Sequence, residues 1–284
     1  MFEPVLERLS ADDIPGLIQL SRAVQWDYSE AEVHTILALG PVFGHKDEHG
    51  RLLSCAGVIR YEGGISVIGM VIVDPAFHGR GLGRSLMHIC MEQVPPPAPI
   101  MLIATEMGRP LYEKLGFRAV DTIHKYICET FTCPSLEAAD GVSIEAMRAD
   151  DLHEVVQLDA QAVGTVREAF LRQRMMQAKT CLVARDASGS LKGYGFAVQT
   201  PANLVTGPIV AADHNLAVRI VSSLAKEHAG QLRIDVPNGQ FAFLDLLESC
   251  GFVKSNQPPV MVARASRMPE RNQTYYAIAS QFYG

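Results

Sequence analysis

The chain carries two copies of one pattern. ADDIPGLIQL begins at Ala11 and ADDLHEVVQL at Ala149; both open with Ala-Asp-Asp and close with Gln-Leu, at an offset of 149 − 11 = 138. LYEKLGF from Leu111 returns as LLESCGF from Leu246, at an offset of 246 − 111 = 135. Two landmarks in the same order at nearly the same spacing restrict the chain to tandem copies of one fold. The expected domains are residues 1–130 and 141–284, joined by a linker at 131–140. That join lies in ETFTCPSLEAADG, where Pro134, Gly141 and small polar residues gather without periodicity.

At coarse grain each copy begins with a short strand (VLERL; VSIEAM) and then a helix capped at Ser10 or Asp150. In the first copy a second helix is expected from Ser29, with Glu32 three residues on at capping-box spacing. The strands PVFGHKD and LLSCAGVIRYE follow, turning at Glu48–His49–Gly50, and then SVIGMVIV. A helix to about Val94 is ended by PPPAP, and IMLIATE, LYEKLG and FRAVDTIHKYIC read as strand, helix and closing strand. The class is mixed α/β. The terminal YYAIASQFYG is expected to pack as a last helix or strand.

Composition removes several alternatives. Hydrophobic residues make up 48% and charged residues 20%, so a packed globular chain is expected. MFEPVLERLSADDIPG has neither a basic start nor an apolar core, so no signal peptide is expected, and no apolar run is long enough to span a membrane. The net charge of −6 with no Lys/Arg cluster disfavours nucleic acid, which needs a basic face. Six cysteines without CxxC read as reduced thiols of a cytoplasmic protein, and nine scattered histidines without HExxH give no metal site.

The chemistry concentrates in VDPAFHGRGLGRSLM, residues 73–87, where Gly79, Gly81 and Gly83 fall between a strand and a helix. A helix N-terminus offers unpaired N–H groups and a partial positive charge. Glycines let that backbone approach an anion with no Cβ between, and Arg80 and Arg84 add positive charge beside it. The loop is no Walker motif, since no GK[ST] follows, and GRGLG lacks the spacing of a dinucleotide fingerprint.

With Val73, Pro75, His78, Gly79, Arg80, Gly81, Leu82 and Gly83 in these places, the loop resembles the pyrophosphate signature of the GNAT superfamily of acyl-CoA N-acyltransferases. RPLYEKLGF, residues 109–117, is similar to that superfamily's second motif. The resemblance covers nearly all of the first copy, and the whole chain resembles the two-domain GNAT proteins. It implies two tandem GNAT-like folds and acetyl-CoA as co-substrate, with no metal. It further implies acetyl transfer to an amine of a small molecule, amino acid or peptide. The thioester would lie against Val71, Ile72 and Val73, with the N–H of Val71 or Ile72 stabilising negative charge on the carbonyl oxygen. His78 stands where Arg or Gln is usual, and Thr105 near where many relatives carry Asn. Tyr112 matches the superfamily's acid; the other reading is a ring packed beside the cofactor. Asp27, Glu62 and His124 stand equal as candidate bases. Trp26 and Tyr28 border the connection that lines the acceptor in the superfamily, and a core role for Trp26 is equally open. Arg167 reads either as a carboxylate ligand or as a surface charge.

Carried without a gap, the offset of 138 sets Gly79 on Ala217, Gly81 on Arg219 and Gly83 on Val221, and the offset of 135 sets Tyr112 on Leu247. The second copy is therefore expected to keep the fold without the cofactor site. Two other readings remain: a non-catalytic acyl-CoA-binding module, and a phosphate-ligand protein unrelated to CoA. The sequence leaves the oligomeric state open.

Overall fold

A computed structural model describes residues 4–132, 141–269 and 271–284. Most of the expected linker, 133–140, lies outside them. The first half runs β1 (Val5–Arg8), α1 (Ile14–Ala23), α2 (Glu30–Leu39), β2 (Val42–Lys46), β3 (Leu52–Arg60), β4 (Ser66–Val73), α3 (Leu82–Glu92), β5 (Ile100–Ile103), α4 (Arg109–Lys114) and β6 (Arg118–Cys128). The second half repeats that order with β7 (Ser143–Ala146), α5 (Leu152–Val163), α6 (Glu168–Gln177), β8 (Thr180–Arg185), β9 (Leu191–Gln199), β10 (Leu204–Ala211), α7 (His214–Ala225), β11 (Leu232–Pro237), α8 (Phe241–Ser249) and β12 (Val253–Asn256). Two further strands follow, β13 (Pro259–Ala263) and β14 (Tyr275–Ala277).

Local chemistry explains the boundaries that matter for the site. Ser29 starts α2 by accepting from the Glu32 amide at 3.1 Å. Leu82, Leu86, Met87 and Cys90 give α3 one apolar stripe. β3 reads as a continuous apolar run because both of its faces are covered. Cys55 and Val67 face the core shared with α1 and α2, whereas their neighbours Ala56 and Ile68 face α3.

The sheet joins the halves by exchanging strands. Its order is β1-β2-β3-β4-β5-β13-β6-β11-β10-β9-β8-β7. β13, from the second half, lies between β5 and β6 of the first. In return, the end of β6 lies between β11 and β12 of the second half, pairing both. The strand expected to close the first copy thus serves two sheet positions. Arg118–Thr122 pairs β13 and Ile123–Cys128 pairs β11. On one face a single core holds residues of α1, α2, α5 and α6 together.

Candidate active site

β4 and β5 pair in parallel only at Ser66↔Ile100 and Val67↔Met101 and then part. β4 also bulges against β3: Ile72 pairs Cys55 and Gly69 pairs Gly57, so Met70 and Val71 together oppose Ala56. Met70 takes a φ of 52°, uncommon for a side-chain-bearing residue. The bulge shifts the alternation, so Gly69 and Met70 both face the α1–α2 side while Val71 faces α3. Beyond Val67 the β4 backbone has no strand partner toward β5 among the described residues. A cavity of about 250 Å³ opens there, walled by Met70, Val71 and Leu102.

Past Val73 the same strand feeds the glycine loop. Asp74 caps the short 3-10 turn Pro75–Phe77 by accepting from the Ala76 amide at 2.9 Å. His78 Nε2 lies 3.0 Å from the Val73 carbonyl oxygen, tying the loop back to its strand. Arg80 lies over the Phe77 ring at 4.9 Å. Gly79 and Gly81 have φ of 77° and 81°, and a Cβ on either would meet nothing within 4 Å. Gly81 caps α3 without a side chain, so the first-turn amides of that eleven-residue helix have no side-chain cap among the described residues. Gly83 differs: its Cβ position touches Leu111 and Val73 at 3.4 and 3.5 Å, so it serves helix packing. The loop thus has the shape of an anion cradle, and Arg80 and Arg84 are exposed beside it.

Tyr112 enters the cavity from α4. Its ring packs edge-on to Phe117 at 6.1 Å, and a Cβ on Gly108 would stand 2.9 Å from it, so glycine there makes room for the ring. Burial pushes the Tyr112 hydroxyl up to about 12, so it holds its proton throughout the neutral range. Thr105 also lines the cavity, its Oγ1 accepting from the Gly108 amide at 3.1 Å.

The opposite wall comes from the α1–α2 connection and from the second half. Trp26 and Tyr28 lie 6.2 Å apart between ring centroids, and both line the cavity with Asp27. Thr200 Oγ1 donates to Asp27 Oδ2 at 2.8 Å. Arg174 of α6 is held by Glu32 of α2 at 2.7 Å, which locks the two halves together beside the opening. Lys125, Arg233 and Asn256 line it from β6, β11 and β12, and Phe282 from the terminal segment.

The second half has the same opening, filled. β10 and β11 pair only at Leu204↔Leu232 and Val205↔Arg233, and β14 then pairs β10 at Ile209↔Ala277 and Val210↔Tyr275. The chain's own strand takes the position that stays open beside β4. The glycine loop has also gone. Residues 74–81 join β4 to α3, but only residues 212–213 join β10 to α7. The gapless offset therefore misplaces the loop: Ala217 and Val221 lie inside α7, fully buried. The offset falls from 204 − 66 = 138 at the first residues of β10 and β4 to 232 − 100 = 132 at those of β11 and β5, as a deletion requires.

Of the residues singled out from sequence, Val71, Tyr112, Trp26 and Tyr28 line one cavity, as do Asp27 and Thr105. Ile72 points into the core, and Val73 leads to the loop. Glu62 is exposed and bridges to Val166, while His124 lies beside Asn238; neither lines the cavity. Arg167 is neither surface charge nor carboxylate ligand: it is 2% exposed and grips Asp159 through Nε and Nη2 at 3.0 and 2.7 Å. Lys125, Arg233, Arg174 and Phe282 are cavity residues that sequence reasoning missed, because their neighbourhood is set by strand exchange. Among the described residues no group of three or more His, Cys, Asp or Glu is placed to hold a metal, and no helix is long and apolar enough to cross a membrane.

Comparisons with known proteins agree with this geometry. Family models described as "Acetyltransferase (GNAT) domain" match residues 45–125 and 155–277. The uncharacterized N-acetyltransferase YitH of Bacillus subtilis is 35% identical over 280 residues, covering 98% of each chain. A putative acetyltransferase from Pyrococcus horikoshii superposes with a TM-score of 0.80 at 20% identity, covering 99% of this chain and 96% of that one. A tandem GNAT protein from the clavulanic acid biosynthesis pathway gives a TM-score of 0.69 at 14% identity, covering 93% and 99%.

Proposed function

The chain belongs to the GNAT acetyltransferase family as a tandem of two such domains, and on that premise we propose that it moves an acetyl group from acetyl-CoA directly to an amine. The acceptor is the amine of a small molecule, amino acid or peptide, and the work falls to the first half. The observation that carries this reading is the contrast between the two openings. β4 keeps an open edge and an uncovered glycine loop, whereas β10 is paired by β14 and has no such loop.

The residues fit an acyl-CoA. The amides after Gly79 and Gly81 and the charges of Arg80 and Arg84 suit a pyrophosphate. The parted β4 edge at Met70 and Val71 suits an extended amide arm and its thioester. The bound thioester supplies the acyl carbon and a thiolate leaving group. The open β4 backbone at Val71 donates to the carbonyl oxygen as charge builds on it. The acceptor nitrogen enters from the Trp26–Tyr28 side and bonds to the acyl carbon as the C–S bond breaks. Its proton passes to water or to Asp27, the one candidate base that lines the cavity. The Tyr112 hydroxyl, protonated at neutral pH, gives its proton to the departing sulfur.

The test is turnover. Acetyl-CoA and the purified chain are mixed with a panel of primary amines, and release of the CoA thiol is followed together with the mass of the acetylated product. Acetylated product that requires the open loop supports the reading. Binding of acetyl-CoA without product from any amine contradicts it and leaves an acyl-CoA-binding module.

A further inference from the structure

The acceptor side of the cavity has a charge pattern of its own. β6 and β11 pair with Lys125 opposite Asp235 and Ile127 opposite Arg233. Lys125, Arg233 and Asp235 therefore project from one face of the sheet. Arg233 grips the fully buried Asp235 through Nε and Nη2, at 3.2 and 2.6 Å. That pair is neutral, yet it leaves Nη1 without a partner among the described residues. Arg174 is neutralised by Glu32 in the same way.

Two charges remain. The Lys125 side chain makes no ion pair or hydrogen bond among the described residues, although the residue is only partly exposed and lines the cavity. Asp27 uses Oδ2 for Thr200, and its Oδ1 has no partner among the described residues. Lys125 and Asp27 face the same space without forming an ion pair with each other. A partly buried ammonium with no partner costs stability, so it persists where a ligand completes it. One fixed cation and one fixed anion, with a spare guanidinium N–H beside the cation, match a molecule carrying one carboxylate and one amino group.

We propose that the acceptor is a small zwitterionic amine, an amino acid or a close relative, whose carboxylate is held by Lys125 Nζ and Arg233 Nη1 and whose amino group is held by Asp27. This rests on the acetyltransferase reading above. Two donors suit the two oxygens of a carboxylate. A phosphate dianion would leave charge uncompensated, since Arg233 is already balanced by Asp235. The cavity, about 250 Å³, has room for a small amino acid beside the thioester.

The experiment compares acids with matched amides. The full chain and acetyl-CoA are assayed for kcat/KM with the twenty standard amino acids, their carboxamides, ethanolamine and O-phosphoethanolamine. At least one free amino acid is expected to exceed its amide by roughly 10²-fold, the scale of losing a charge-assisted contact. The amide has the less basic amine, so intrinsic reactivity would favour the opposite order. Lys125→Met should collapse the acid-to-amide ratio toward unity through KM, and Lys125→Arg should restore part of it. The ratio is taken within one protein, so it does not depend on the folded fraction. Amides equal to acids, a ratio untouched by Lys125→Met, turnover of O-phosphoethanolamine alone, or acetyl-CoA binding with no amino acid turned over would each overturn the proposal. Failure to bind acetyl-CoA, read separately by calorimetry, would overturn the acetyltransferase reading itself.

Discussion

A side-chain carbon on Gly69 would stand 1.7 Å from the ring of Phe282. Two residues more than two hundred positions apart thus fix each other: the bulged strand of the first half needs glycine because the terminal segment of the second presses on it. Gly69→Ala should cost about 1–3 kcal/mol through overpacking, and Phe282→Ala about 3–5 kcal/mol through the void it leaves. In the Phe282→Ala background the Gly69→Ala penalty should largely vanish. Urea unfolding of the four proteins measures this coupling, and simple additivity would contradict the contact.

Tyr112→Phe keeps the ring against Phe117 and removes only the hydroxyl. We expect kcat to fall by roughly 10²-fold, the low end for a general acid, with acetyl-CoA affinity nearly unchanged. Because burial holds that hydroxyl up to about 12, the wild-type rate should show no loss of this acid below pH 10. A stopped assay across pH 6–10 on both proteins checks it. An unchanged kcat would leave Tyr112 as a packed ring.

Lys125 predicts an alkaline limb in acceptor binding. Burial and the nearby Arg233 lower its pKa, while Asp235 and Asp27, facing it, oppose that shift. Its ammonium is therefore lost at a lower pH than an ordinary lysine near 10.4. The acceptor's carboxylate is held by the charged form of Lys125, so KM should rise as pH climbs through the lowered pKa. Arg233 stays charged throughout. Lys125→Arg should remove the limb, and a KM flat to pH 10 in the wild type would contradict it.

The exchanged strands predict mutual dependence. A fragment ending at residue 130 loses β13 from the edge of β5 and loses β11 and β12 from Ile123–Cys128. Unpaired edges of that length invite aggregation. Residues 1–132 and 141–284, expressed as separate pieces, should each aggregate alone and co-purify one to one when made together. A soluble, cooperatively unfolding 1–132 fragment would refute this.

Local structure was legible because local chemistry sets it. Ser29, the apolar run of β3 and the glycines after Val73 each mark an element that the structure contains. Partner choice was not legible. Nothing in FRAVDTIHKYIC says that its first residues pair β13 and its last pair β11, since strand pairing depends on distant segments. Lys125 and Arg233, 108 positions apart (233 − 125 = 108), meet only through that pairing. Arg167 reads as a carboxylate ligand or a surface charge because Asp159, one helix earlier, gives no sign that the two are buried together. The gapless offset misled at the second loop because the matching apolar letters of α7 absorbed a deletion.

The central claim is one acyl-CoA site per chain, in the first half. Titration calorimetry of acetyl-CoA into the wild type and into Gly81→Arg tests it most directly, with thermal unfolding of both proteins as the control that the variant is folded. A stoichiometry of one in the wild type, lost in a folded Gly81→Arg protein, is the predicted result. Two sites per chain, or undiminished binding in a folded Gly81→Arg protein, would contradict it.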